Sequence, residues 1–328
     1  MTEPLRPLNL GGILDRGVQV FRAQPLLFFG LGAIPGLVQL GYRLASVHPR
    51  ATTNPNAAHI LLQVASYGML FIFWLTSMVF QPVATAAICL AAARVNLGER
   101  ATVSSALATV TSKVGRLIWL SILQGIYSGW PLIFAIPIAL LIGGVADSHQ
   151  LLSIPALTLV YFLGGIPCVA LFTRYALAFP ATAMENLPAQ AAVQRSASLG
   201  EGGRWRICWA FLVPTVPSIL IVVGAAALVE QLKTYSPLVA GSPITVAGIN
   251  GVVGLIDALV FTPYSAIVLT LLYYDQRIRR EGFDIEQMMA AAGLNSNPLP
   301  PEASLAAEAV PGDGSVPNAT AVPDEGHA

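Results

Sequence analysis

Close to its C-terminal end the chain reads TLLYYDQRIRREGFDIE, residues 270–286, where an apolar run gives way to phenols, carboxylates and guanidiniums. Such a mixture could do two kinds of chemistry. A carboxylate among arginines and tyrosines can move a proton, and a row of arginines can grip a phosphate. On a helix Asp275 and Arg279 lie four apart, as do Arg277 and Glu281, so each pair is placed to interact. The same residues also describe a helix leaving a membrane, with Tyr273 and Tyr274 at headgroup depth and Arg277, Arg279 and Arg280 just beyond. Gly282 then suits a left-handed C-cap, with Phe283 folding back onto the previous turn. Asp284 and Gln287 resemble a capping box opening a short helix over 284–292, whose apolar face is Ile285, Met288, Met289 and Ala292. This structural reading gives every residue a role without catalysis, and it is preferred.

Asp257, in GLIDALVFTPYS, is the one carboxylate well inside an apolar run. An ionised carboxylate in hydrocarbon costs several kcal/mol, which makes it a candidate functional group. Arg43, near the same end of the first apolar run, is its expected partner. The plainer reading is a neutral, hydrogen-bonded aspartate that helps helices pack. Glu185 shares a polar segment with Arg174, Arg195, Arg204 and Arg206, a set that could hold a lipid phosphate with Glu185 orienting it. The plainer reading there is a basic loop that membrane topology requires.

The stretch GEGGRWR, residues 200–206, lacks the lysine–serine ending of a phosphate loop and follows no strand, so it is not read as a nucleotide site. His48, His59, His149 and His327 fall in loops or the tail without metal-ligand spacing. No Ser/His/Asp or Cys/His set suggests nucleophilic catalysis. Cys89, Cys168 and Cys208 are odd in number and sit in apolar runs, which fits small buried hydrophobes rather than a disulfide framework. Neither a cofactor nor a metal is expected.

The elements that must position these residues follow from composition. The chain has 328 residues, 55% of them hydrophobic and 10% charged, with a mean hydropathy of +0.68. A soluble protein wets its surface with about 25% charged residues. Here the charges are clumped between apolar runs that reach the ~20 residues needed to cross ~30 Å of hydrocarbon. The sequence therefore predicts an all-α polytopic membrane bundle with six spans, near 26–47, 60–92, 116–145, 151–178, 205–230 and 246–274. Pro35, Pro82, Pro137 and Pro167 lie within them, where membrane helices tolerate proline.

Of the 17 Lys and Arg residues, 14 fall on one side of this arrangement and only Arg43, Arg50 and Lys233 on the other. By the positive-inside rule both termini are cytoplasmic. Arginine outnumbers lysine 15 to 2, which points to a GC-rich bacterial genome and so to a bacterial cytoplasmic membrane. No removable signal peptide is read at the N-terminus.

Each odd-numbered span is led by an amphipathic segment expected to lie in the cytoplasmic interface. In residues 1–25, Leu10, Leu14, Val18 and Phe21 form one face. Val103, Leu107, Val110 and Val114 repeat that stripe with Thr102 as N-cap, and Ala189, Ala192, Val193, Ala197 and Gly200 form a weaker one after Pro188. A unit of one interfacial helix and two spans thus occurs three times, either as a repeat or as a common way of entering a membrane. Gly32 with Gly36, and Gly248 with Gly251 and Gly254, allow close helix approach, within the chain or between copies. The membrane domain occupies 26–292, and 293–328 is an acidic tail rich in Pro, Ala and Gly that reads as disordered.

Residues 270–286 are similar to the C-terminal signature of the family called the membrane domain of glycerophosphoryl diester phosphodiesterase. The stretch RYALAFPATAMENLPAQAAVQRSASLGEGGRWR resembles that family's central loop, and LNLGGILDRGVQVFRAQPLLFFG its opening. Together they cover most of residues 8–292. The resemblance implies a multi-pass bacterial membrane protein of a family mostly without assigned function, and it does not imply phosphodiesterase activity. In that superfamily catalysis belongs to a separate soluble barrel with His, Glu and Asp around a metal, and no such barrel is read after the spans.

Three function classes fit. The first, which makes the fewest demands, is a non-enzymatic membrane module assisting a lipid- or envelope-related process. The second is a transporter or lipid translocator using Asp257 and the cytoplasmic arginines, which needs a polar path through the spans. The third, a membrane-embedded lipid enzyme, needs convergent carboxylates or histidines at one depth. Membrane lipids are the expected partners, a protein partner or a second copy stays open, and zero net charge without a basic stripe argues against nucleic acid.

Overall fold

The structure, a computed structural model, describes residues 8–45, 47, 57–146, 150–236 and 241–281. Among these there is helix and no strand. Helix α1 (Leu10–Ala23) begins where the Asn9 side chain accepts from the Gly12 amide at 2.6 Å, and α2 (Pro25–Ala45) follows after a one-residue break at Gln24. After α3 (Ala57–Asn96), Gly98 turns the chain at φ 82°. The expected cap at Thr102 is present as a reciprocal capping box with Ser105, opening α4 (Val103–Thr111). Helices α5 (Val114–Ala146) and α6 (Gln150–Tyr175) form a pair, and α7 (Ala178–Glu185) and α8 (Ala189–Gly200) lead to α9 (Arg204–Tyr235) and α10 (Pro243–Glu281).

Six helices are long and apolar enough to cross a membrane, and their order matches the expected plan of a short helix followed by two long ones. Helix α7 is the exception. Span four was expected to run to residue 178, but α6 stops at Tyr175. The buried Ser196 hydroxyl of α8 accepts from the Leu177 amide at 3.1 Å and donates to the Arg174 carbonyl at 3.0 Å, tying up the backbone groups freed by the break. Asn186, left-handed at φ 55°, ends α7, and Arg116 donates to both its carbonyl and its side-chain oxygen at 2.8 Å.

Helix α10 is central and packs against α1, α2, α3 and α9. Its tightest approach is to α2. A Cβ on Gly32 would stand 2.4 Å from the Ala258 carbonyl oxygen, and one on Gly36 2.9 Å from Ala258 Cβ. From the other side, Gly251 and Gly254 admit Leu40 and Gln39. Gly32 and Gly36 of α2 and Gly251 and Gly254 of α10 therefore serve one contact inside the chain, which Gly248, with nothing within 4 Å of a built Cβ, does not join. Without a hydrophobic drive between helices in lipid, such close packing is what holds spans together.

The amphipathic face of α1 is rotated from its expected phase. Ile13, Gly17 and Val20 are buried while Val18 is exposed. Gly17 is the reason: its missing side chain lets α1 lie 3.1 Å, measured from a built Cβ, against Val268 of α10. In α8 the expected Ala189, Ala192, Val193 and Gly200 are buried, joined by Ser196 and Leu199. Burial is uneven along the bundle. At the end holding α1, α4, α7, α8 and the last turns of α10, residues 82–93 of α3 are almost all buried, whereas Phe71, Ile72, Trp74 and Leu75 further along are exposed. Helices α5 and α9 show the same trend, with Leu117, Leu120, Ile207 and Ala210 buried and Ile133, Phe134, Ile219 and Leu220 exposed.

Candidate functional site

Two groups of polar side chains stand out. The first is at the charged end. Glu185 closes α7, and its carboxylate accepts from Arg195 Nε at 3.1 Å and Nη2 at 3.0 Å and from the Tyr273 hydroxyl. Arg277 Nε approaches it at 3.6 Å. Arg195 also pairs with Glu281, its Nη2 donating at 2.8 Å, and Arg277 Nε donates to Glu281 at 3.1 Å. Carboxylates and guanidiniums thus alternate across α7, α8 and α10. The hydrogen bond to Glu281, reinforced by Glu185, holds Arg195 above its ordinary pKa although partial burial works against it.

Beside this lattice Asp275, only 3% exposed, gathers a second one. Its Oδ2 receives Arg206 Nη1 at 2.8 Å and Arg279 Nε at 3.0 Å, and its Oδ1 the Leu8 amide at 2.9 Å. The Leu8 carbonyl accepts from Arg279 Nη2 at 2.9 Å and from Arg206. Arg280 donates to the Ser198 carbonyl at 2.7 Å and to that of Glu201, satisfying the open end of α8. The spacing-based pairs Asp275–Arg279 and Arg277–Glu281 are both formed.

Two expectations change here. Tyr273 is fully buried, donating to Glu185 rather than lining a headgroup belt, while Tyr274 is half-buried against its ring. The four arginines do not converge on one phosphate. Arg195 and Arg206 go to different carboxylates, Arg174 lies over the Tyr175 ring at 5.6 Å, and Arg204 is exposed. Carboxylates within the chain already take donors of Arg195 and Arg206 that a shared anion would need. Gly282, Phe283, the capping box at Asp284, the helix over 284–292 and the tail lie outside the described residues.

The second group lies between α2, α3 and α10. Asp257 borders a partly enclosed cavity of ≈ 260 Å³, room for several waters or a small ligand. Gln39 from α2, Ser77 and Gln81 from α3, and Thr262 from α10 share its wall, with Phe73 and Phe80 as its aromatic side. Ser218 of α9 donates to Asp257 Oδ1 at 2.6 Å. The expected Asp257–Arg43 pair is not formed. Arg43 is exposed at the end of α2, and its Cβ lies 3.6 Å from a Cβ built on Gly251, nearly two turns of α10 before Asp257.

Sequence reading found Asp257 but not its neighbours. A signal was there: Gln39, Gln81 and Ser218 each sit roughly 14–15 residues, about 21–23 Å at the helical rise, from the charged-end terminus of their helix. Asp257 lies about 36 Å from Glu281, the charged-end terminus of its own longer helix, so counting from helix ends groups Gln39, Gln81 and Ser218, and packing alone brings Asp257 to them.

Among the described residues no group of three His, Cys, Asp or Glu side chains is arranged to hold a metal. An all-helical bundle with six such apolar helices defines a multi-pass membrane protein. No family model matches the chain, and no curated protein or solved structure matches it.

Proposed function

We propose that this chain is a transporter or lipid translocator of a bacterial cytoplasmic membrane, with both termini cytoplasmic and no catalytic role of its own. One observation carries the reading: polar side chains from four helices meet at one depth around Asp257, beside a cavity. A polar path was the demand that this class makes of the spans, and a carboxylate kept in the membrane interior is a functional group by default. Substrate sites near mid-membrane, between packed spans, are the usual place for transport. The similarity of residues 270–286 to the glycerophosphoryl diester phosphodiesterase membrane domain supports the bacterial, lipid-associated setting.

Reconstituting the full chain in liposomes tests this. Small polar solutes and a headgroup-labelled phospholipid are followed for wild type and Asp257→Asn. The expected outcome is flux of at least one probe that falls about tenfold or more in the variant, the scale of losing a charge-assisted contact. Rates equal to protein-free liposomes for every probe would overturn it. The second reading, a non-enzymatic module assisting a lipid- or envelope-related process, is favoured by the charged end, where ion pairs lock α7 to α10 into a rigid platform.

A further inference from the structure

We propose that the Asp257 cavity binds a small organic ammonium ion, a primary or methylated amine. This rests on the transport reading for its setting but on the cavity wall for its chemistry. The wall holds one carboxylate, two carboxamides (Gln39 and Gln81) and two hydroxyls (Ser77 and Thr262), and no Lys, Arg or His. Every one of these groups can accept a hydrogen bond, and only the carboxylate carries charge. Ser218 occupies Oδ1 of Asp257, which leaves Oδ2 for a ligand. An anion would meet an uncompensated carboxylate, and a neutral polyol would leave that charge unpaired in the membrane. A single positive charge with N–H or N–CH₃ groups answers both.

The aromatic side narrows the class further. Phe73 and Phe80 face the cavity, and Phe73 is held by stacking on Tyr42 with ring centroids 4.0 Å apart. Ring faces attract organic ammonium groups through the quadrupole, as aromatic cages do. A bare alkali ion prefers to keep oxygen ligands all round, which a wall that is partly phenyl does not supply. Gln39 is fixed by its position against Gly254, where a built Cβ would lie 3.4 Å from its Oε1. A volume of ≈ 260 Å³ exceeds the ~150 Å³ that holds a benzene, so a methylated amine fits with room for water.

The test uses the full chain in lipid nanodiscs, with methylammonium and tetramethylammonium chloride as probes and sodium chloride and glycerol at matched concentrations as comparators. Thermal midpoint and calorimetric titration are read together. The expected result is a saturable upward shift with either ammonium salt and none with the comparators, with affinity falling about thirtyfold or more in Asp257→Asn. Phe73→Leu, which keeps the carboxylate, is expected to weaken tetramethylammonium more than methylammonium, and it decides the matter if Asp257→Asn does not fold. A shift equal in sodium chloride, one seen only with glycerol, or binding unchanged in both variants would overturn the inference. Liposomes that pass glycerol while the protein binds no ammonium would end this ligand class and leave the transport reading standing. Ammonium binding without flux of any probe would do the reverse.

Discussion

Glu185 joins three helices through one carboxylate. It takes two donors from Arg195 and one from Tyr273, with Arg277 at 3.6 Å. Glu185→Gln keeps the shape and removes the charge, leaving Arg195 and Arg277 to share Glu281. Because Glu185 is only 19% exposed, the loss is expected to be about 1–3 kcal/mol. Tyr273→Phe is expected to cost about 0.5–1.5 kcal/mol, and the double variant less than the two together by about 0.5 kcal/mol or more. Unfolding in mixed micelles titrated with denaturing detergent measures this cycle, and strict additivity would show the two groups to be independent. The partners of Glu185 show where sequence reasoning stops. Arg277–Glu281 and Asp275–Arg279 are legible because helix geometry brings i and i+4 together. Tyr273 and Glu185 are 88 residues apart, and only packing decides which of several nearby cations and phenols each carboxylate takes. Leu8, whose backbone closes the Asp275 cluster, carries no side-chain signal at all.

Helix α2 meets α10 across Gly32 and Gly36, and the contact is backbone against backbone. Gly32→Ala would push a methyl to within 2.4 Å of the Ala258 carbonyl oxygen and 3.2 Å of Leu259 Cα. Neither can swing aside, so α2 must shift, and overpacking of this kind costs about 1–3 kcal/mol. Gly41, on the same helix, has nothing within 4 Å of a built Cβ. Gly41→Ala is expected to leave the melting midpoint unchanged while Gly32→Ala lowers it by several degrees; equal midpoints would mean the helices are not that close. The wall of the Asp257 cavity includes Gln39 of α2 and Asp257 and Thr262 of α10, so Gly32→Ala also tests whether this crossing sets the cavity's shape. Glycine spacing was readable as a contact surface, and its partner was not. The same blindness misplaced α1: a stripe of large apolar side chains points to Leu10, Leu14, Val18 and Phe21, but the interface is built on what Gly17 lacks. The break before α7 escaped for a related reason, since the serine that stabilises it is 19 residues downstream.

Charge and packing are distributed along the whole bundle in the same sense. The well-packed end carries Arg16, Arg94, Arg116, Arg174, Arg195, Arg206, Arg277, Arg279 and Arg280, while Arg43 and Lys233 mark the other. The charge half of that asymmetry was legible in the sequence, because hydropathy and basic residues need no tertiary information, whereas the packing half was not. The packed layer of α3, residues 82–93, lies between the charged end and the Asp257 cavity. Access to the cavity in this conformation is therefore from the opposite end or from the lipid side. Orientation then decides from which compartment a ligand arrives, and it can be measured. Anionic lipid headgroups attract about 1 kcal/mol per basic residue near the surface, so an inverted bundle would forfeit much of a 14-to-3 bias. In a background without native cysteines, Leu44→Cys and Tyr235→Cys are exposed positions at the sparsely charged end, and Leu97→Cys and Ser198→Cys at the charged one. A membrane-impermeant maleimide is expected to label the first two on intact cells and the second two only after permeabilisation. The reverse pattern would place the charged end outside and turn the cavity's open side toward the cytoplasm.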